Sequence, residues 1–154
     1  MATGALANLV DAEWDDTELL VVDLPPGTGD VQISLIQRSR PAGAVIVSTP
    51  QDLSLIDARR AVDLFNKTSV PVLGIIENMA TYECPHCGEE SHPFGSGGAE
   101  HAAAEMGVPF LGRLPLSLAI REASDAGNPP AAGEGPEAEG FAALAAKLLA
   151  AITH

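Results

Sequence analysis

Short apolar runs recur along the chain and alternate with stretches of helical periodicity. The runs occupy residues 18–24, 44–48, 70–76 and 110–114. Each run is almost continuously apolar rather than alternating, which is typical of strands buried on both faces of a parallel sheet. The pattern therefore predicts four strands.

The intervals between these runs have the three- and four-residue apolar spacing of helices, as at Leu55, Ala58, Val62 and Phe65. The spacing predicts helices over residues 5–12, 30–38, 53–67, 99–106 and 141–154. Strands that alternate with helices predict an α/β fold, a doubly wound and mostly parallel sheet.

The predicted organisation is one α/β domain followed by a linker and a closing helix. Residues 1–126 form the domain, and residues 127–140, rich in Gly, Pro, Ala and Glu, form an exposed linker. In residues 141–154 the apolar stripe of Phe141, Leu144 and Leu148 predicts a face docked on the core.

Charge and hydropathy exclude two classes of partner. The net charge is −13 and the pI is near 4.4, which argues against nucleic acid, whose phosphates require Lys and Arg. No apolar run approaches the roughly 20 residues of a membrane span. We therefore expect a cytoplasmic protein that binds neither nucleic acid nor membrane.

The run at residues 19–30 reads LLVVDLPPGTGD and places a carboxylate, Asp23, at the end of a predicted strand. A carboxylate there can hold the water shell of Mg²⁺, and Gly27 allows the backbone to approach a phosphate. The alternative is an ordinary strand end with a Pro-Gly turn. The companion loop G-x-x-x-x-G-K-[ST] is absent, since Lys67 and Lys147 are the only lysines and neither follows a glycine.

Cys84 and Cys87 form a C-x-x-C motif, a spacing that lets two thiolates bind one metal ion or cluster. Two thiolates do not complete a tetrahedral site, and three completions remain open. His92, or less favourably His86, could complete a zinc site. The pair could instead act as a dithiol redox switch, or a twofold partner could supply two further cysteines.

Other polar residues have simpler interpretations. Asp57 and Arg60 lie one turn apart on a predicted helix and are interpreted as a surface ion pair. His101 and His154 are expected to be solvated. Residues 95–98 (GSGG) lack the lysine of a phosphate loop and are interpreted as a flexible start to the following helix.

With the carboxylate strand end and the cysteine pair in this order, the chain resembles the Mrp/ApbC family of ATP-dependent iron–sulfur cluster carriers. This family belongs to the deviant P-loop ATPases related to MinD. The resemblance rests on LVVDLPPGTGDVQ, GAVIVSTPQDLSLIDARRAV, VPVLGIIENM, CPHCGEESHPFGSGG and GVPFLGRLPLSLAIREAS. It extends over nearly all of residues 6–127 and corresponds to the family's carboxyl-terminal portion. The resemblance implies a P-loop NTPase-like fold that lacks the phosphate-loop strand.

The resemblance also implies the parts of a nucleotide site. Asp23 would be the carboxylate on the Mg²⁺ side and Gly27 part of the switch that senses the γ-phosphate. Asn78 would recognise adenine, for which an amide has the matching donor and acceptor. Pro115 and Leu116 would cover the base. The Mg-ATP site would be incomplete, so the family's ATP hydrolysis is not expected of this chain alone.

Cys84 and Cys87 match the family's cluster-bridging pair. The resemblance implies a homodimer that holds a [4Fe–4S] cluster between two such pairs and transfers it to recipient apoproteins. A partner polypeptide carrying the missing phosphate loop is a further expectation, because an unpaired 19–24 strand would expose an apolar edge. The alternative is a zinc-bound interaction module without ATPase activity. A MinD-like positioning ATPase is disfavoured, since the closing helix lacks basic residues for anionic lipid.

Overall fold

Three parallel strands form the main sheet, in the order β1-β2-β5. A computed structural model of the protein describes residues 8, 10–24 and 29–153, apart from the side chains at positions 30 and 31. The three strands are β1 (Ala44–Ser48), β2 (Val72–Glu77) and β5 (Phe110–Arg113). Two shorter strands, β3 (Tyr82–Glu83) and β4 (Glu90–Ser91), pair antiparallel as a separate ribbon.

Five helices and one 3₁₀ turn at Pro130–Ala132 lie wholly within the described residues and accompany the strands. The helices are α1 (Asp30–Ser39), α2 (Asp52–Lys67), α3 (Gly98–Met106), α4 (Leu118–Asp125) and α5 (Pro136–Ile152). Within the described ranges, none of them combines the length and apolar character needed to cross a bilayer.

The apolar core lies on both sides of the main sheet. On one side Ile46 and Ile75 pack with buried residues of α2 and α3. On the other side Ile76 and Leu111 pack against Leu144 of α5. Burial on both faces explains why the strand sequences are continuously apolar. The carboxyl ends of the three parallel strands therefore meet at one edge of a covered sheet.

The predicted α/β fold with a parallel sheet is confirmed. β1 has the predicted bounds, and β2 and β5 fall within two residues of theirs. The helices predicted at residues 30–38, 53–67 and 99–106 are present with ends shifted by at most one residue. The helix α3 ends at Met106, and its C-cap residue Gly107 has the left-handed conformation typical of that position, with a φ of 67°.

The prediction of a strand at residues 18–24 is wrong, because these residues form no strand in the described structure. An apolar run forms a strand only when a neighbour pairs with its backbone, and no described strand lies beside this one. Leu19, Leu20 and Val21 are exposed, Val21 to 83%. Residues 19–22 thus form an exposed apolar segment, whereas Leu24 is half-buried against the core.

The segment between residues 127 and 140 is more ordered than an exposed linker. It contains the 3₁₀ turn, and α5 begins at Pro136, five residues before the predicted start. Proline fits the first turn of a helix, and Glu137 and Glu139 there complement the helix dipole. The division into domain, linker and closing helix stays a prediction.

At the amino terminus, residues 8 and 10 are helical, whereas residues 11 and 12 are not. The rest of the predicted 5–12 helix lies outside the described residues. The sequence analysis did not anticipate α4 or the β3–β4 ribbon. Two-residue strands are too short to produce a recognisable hydrophobic period.

Candidate functional site

Asn78 follows β2 at the carboxyl edge of the sheet. Its backbone N–H donates to the carbonyl oxygen of Ser48, the last residue of β1, at 2.7 Å. Its side-chain Oδ1 accepts from the N–H of Met79 at 3.0 Å, and Met79 has a φ of 57°. These bonds fix the side-chain amide at the strand end and engage its oxygen, so its N–H groups are the donors available to a ligand.

Pro115 and Leu116 lie beside the segment that follows Asn78. The N–H of Ala80 donates to the Leu114 carbonyl oxygen at 3.0 Å, and the N–H of Leu116 donates to that of Thr81 at 2.7 Å. Pro115 is exposed and Leu116 is half-buried. The segment of Pro115 and Leu116 thus runs beside the residues that follow Asn78, and the role of these three residues toward a base stays a prediction.

Of the two residues predicted on the phosphate side, only Asp23 lies within the described residues. Asp23 is exposed and makes no hydrogen bond or ion pair with any other described residue. Gly27 lies outside the described residues. Their roles toward Mg²⁺ and the γ-phosphate remain predictions.

Cys84 and Cys87 lie in the turn of a small antiparallel ribbon, residues 82–91, which we call the cysteine ribbon. Tyr82 pairs with Ser91, and Glu83 pairs with Glu90. The N–H of Cys84 donates to the Glu89 carbonyl oxygen at 3.0 Å, and the N–H of Gly88 to that of Cys84 at 2.9 Å. This turn presents Cys87 exposed and Cys84 half-buried, both as free thiols.

Backbone amides favour the thiolate form of Cys84. Hydrogen bonds from the N–H groups of His86 and Cys87, with a smaller contribution from the Cys87 side chain, lower the pKa of Cys84 below its ordinary value. A thiolate is the form that binds metal and attacks electrophiles. The turn therefore favours a thiolate at Cys84.

His92 does not complete a metal site with the cysteine pair. Its Nδ1 lies 3.1 Å from the carbonyl oxygen of Ala80, and its Nε2 lies 3.7 Å from Glu90 Oε1. His86 is exposed beside the pair. Across residues 8, 10–24 and 29–153, no three His, Cys, Asp or Glu side chains are grouped to hold a metal ion.

Glu77, the last residue of β2, was not among the site residues predicted from the sequence. Its side chain is fully buried, and Oε2 accepts from the N–H of Ala99 in the first turn of α3 at 2.8 Å. Arg113 lies nearby, with Nε 4.0 Å from Glu77 Oε1 and Nη2 2.5 Å from Glu100 Oε2. The signal was present in the sequence as a single carboxylate that closes an apolar run.

The remaining candidates have ordinary surroundings. Arg60 Nη1 lies 3.0 Å from Asp57 Oδ1 with both side chains exposed, so the predicted surface ion pair is confirmed. His101 is exposed beside Glu105 at 3.2 Å. His154 lies outside the described residues.

A known protein family and several known proteins resemble this chain over most of its length. A family model described as ParA, NUBPL iron-transfer P-loop NTPase, matches residues 1–149. An iron-sulfur cluster carrier protein of Pseudomonas fragi is 52% identical over 85% of this chain and 46% of its own length. The iron-sulfur protein required for NADH dehydrogenase, mitochondrial, of Arabidopsis thaliana is 51% identical over 84% of this chain and 42% of its own. The chain therefore spans less than half the length of these relatives.

Solved structures agree on the fold. A nucleotide-binding protein of Archaeoglobus fulgidus in complex with ADP superposes with a TM-score of 0.69 at 38% identity, covering 80% of this chain and 53% of its own. MinD of Pyrococcus horikoshii, complexed with Mg-ADP, superposes with a TM-score of 0.70 at 23% identity, covering 99% and 59%. The second likeness concerns the fold alone. The chain belongs to the NUBPL iron-transfer P-loop NTPase family and has the fold of MinD-like P-loop NTPases.

Proposed function

We propose that two copies of this protein hold one [4Fe–4S] cluster between them, each through Cys84 and Cys87, and pass it to recipient apoproteins. The observation that carries the proposal is the ribbon turn, which presents two adjacent free thiols, one of them with a lowered pKa. A cube of four irons takes four cysteine ligands, so two such turns match its demand. The names of the relatives support iron–sulfur carriage.

Transfer is a ligand exchange. A thiolate of the recipient binds an iron as the bond from that iron to Cys84 or Cys87 breaks, and the departing sulfur leaves as a thiolate. The iron and sulfide keep their oxidation states, so no electron donor or acceptor is required. The exposure of Cys87 favours the approach of an incoming thiolate.

We further propose that a nucleotide binds at the carboxyl edge of the sheet, with its base against Asn78, Pro115 and Leu116. The solved relative from Archaeoglobus fulgidus contains ADP, which supports a nucleotide at this fold. Asp23 and Gly27 would serve Mg²⁺ and the γ-phosphate. Because no lysine of this sequence follows a glycine, we propose that another polypeptide segment supplies the phosphate loop and that hydrolysis requires it.

Anaerobic reconstitution with iron and sulfide tests the carrier function. We expect a brown species with broad visible absorbance in the wild-type chain and none in Cys84→Ser. The matched control is His86→Ala, which removes the side chain between the two cysteines but keeps the backbone N–H. A colourless protein that instead binds zinc stoichiometrically would support the interaction module and overturn the carrier function.

A further inference from the structure

The cysteine ribbon is joined to the rest of the fold at its base. On the side where the chain enters, the backbone bonds of Ala80 and Thr81 attach it to the segment at residues 114–116. On the side where it leaves, His92 Nδ1 lies 3.1 Å from the carbonyl oxygen of Ala80. The ribbon is two residue pairs long and largely exposed. Its orientation therefore depends on how firmly both sides of the base are held.

The chain that leaves the ribbon has a permissive backbone. Residues 95–98 are Gly-Ser-Gly-Gly, and Gly95 and Gly97 have φ values of 95° and 69°. Glycine loses the most conformational freedom on folding, so a segment of this composition holds a fixed path only when something anchors it. The segment ends in the first turn of α3, which begins at Gly98 and continues with Ala99.

Glu77 provides that anchor. Its Oε2 accepts from the N–H of Ala99 at 2.8 Å, and the negative charge lies at the positive end of the α3 dipole. Glu77 immediately precedes Asn78, and its carbonyl oxygen accepts from the N–H of Leu114 at 2.9 Å. One residue therefore connects the strand end, the 114–116 segment and the return of the ribbon.

The environment of Glu77 is unusual for a group with only a packing role. Its side chain is fully buried, and its Oε1 has no hydrogen-bond partner among the described residues. The nearest cation, Arg113, is half-exposed, bonded to Glu100, and lies over the ring of Phe110 at 5.6 Å. A buried carboxylate is costly to folding, and an apolar residue of similar size would avoid that cost. What the carboxylate adds is the bond to α3.

We propose that Glu77 is a positioning residue for the cysteine ribbon. Its carboxylate fixes the return of the ribbon, at the start of α3, onto the strand end that carries Asn78. The orientation of Cys84 and Cys87 relative to the sheet follows from this bond. The proposal rests on the proposed function only in assigning the metal-binding role to these two cysteines.

Amide ¹⁵N relaxation on the reduced, metal-free chain tests the proposal. Glu77→Leu removes both the hydrogen-bond acceptor and the charge, and it places an apolar side chain in the same buried position. We expect the order parameters of the Cys84 and Gly88 amides to fall from about 0.85 toward 0.6 in this variant. Glu77→Gln keeps a neutral acceptor, so its ribbon should show an intermediate loss. Glu100→Gln is the matched control, since it removes an equal charge beside Arg113 and should leave the ribbon unchanged.

A merely structural role gives a different result. It would lower the urea midpoint of Glu77→Leu and Glu77→Gln while the ribbon amides kept their wild-type order, and that outcome would overturn the proposal. If the leucine variant does not fold, the glutamine variant decides by the same comparison. The measurement needs no cluster, so failure of the wild-type chain to reconstitute would count against the proposed function and leave the test of Glu77 intact.

Discussion

The thiol of Cys84 lies among a few backbone N–H groups that act on its pKa. The amides of His86 and Cys87 stabilise the charged form of Cys84 and not its neutral form. Hydrogen bonds to a charged form lower the pKa of an acid. The thiolate of Cys84 is consequently present at a lower pH than that of an ordinary cysteine.

Alkylation by iodoacetamide provides the first residue-scale test. In the reduced, metal-free chain, the rate at Cys84 should rise with pH at a lower midpoint than the rate for free cysteine under the same conditions. Mass spectrometry of the labelled peptides separates the two sites. His86→Ala keeps the donating amide and should not move the Cys84 midpoint. A midpoint at Cys84 equal to that of free cysteine would contradict the assigned hydrogen bonds.

Gly98 provides a second residue-scale test, because it permits α3 to approach Pro50, in the segment between β1 and α2. A Cβ at this position would lie 2.4 Å from the carbonyl oxygen of Pro50. Gly98→Ala should therefore cost about 1–3 kcal/mol of unfolding free energy, as overpacking does. Urea denaturation measures this change in unfolding free energy. Ser96→Ala, at an exposed position just before α3, should change it little. An unaffected midpoint in Gly98→Ala would show that this contact is not tight.

At the scale of elements, the sequence predicted most accurately the helices and strands that have regularly spaced buried residues. β1, α2 and α3 lie in one core with buried positions at regular spacing, so periodicity located them to within a residue. The 18–24 run has equally apolar residues, but strand formation depends on a neighbour that a local pattern does not contain. The cysteine ribbon is held by its turn and base, which also lie beyond the reach of periodicity.

The docking of α5 gives the prediction for this scale. Leu144 is buried against Ile76 and Leu111, whereas Leu149 on the same helix is 52% exposed. Leu144→Ala should destabilise the fold by about 2–5 kcal/mol through lost burial and a cavity. Leu149→Ala should stay within about 0.5 kcal/mol of wild type. Equal effects in urea denaturation would mean that α5 does not dock through the Leu144 face.

At the scale of the whole molecule, the residues predicted to form one nucleotide site differ in their surroundings. Backbone hydrogen bonds hold the segment of Pro115 and Leu116 beside the residues that follow Asn78, while Asp23 is exposed and bonds to no other described residue. Motif resemblance located these residues in the sequence. The resemblance did not point to Glu77. The carboxylate of this residue bonds to the first turn of α3, which begins 21 residues later in the sequence.

The exposed apolar segment at residues 19–22 leads to a prediction for the chain in isolation. Val21 is 83% exposed there, and contiguous exposed apolar residues promote association. Val21→Ser should reduce light scattering of concentrated protein. Leu53→Ser, at an exposed position on α2, should reduce it less. Scattering that falls equally in both variants would remove the special role of this segment.

Native mass spectrometry after anaerobic reconstitution tests the central claim most directly, since it weighs the assembly and its inorganic content together. We predict a dimer that carries a single [4Fe–4S] cluster, and only metal-free chains when Cys84→Ser or Cys87→Ser is reconstituted in the same way. A single chain that retains a cluster or a zinc ion on its own cysteine pair would contradict the account.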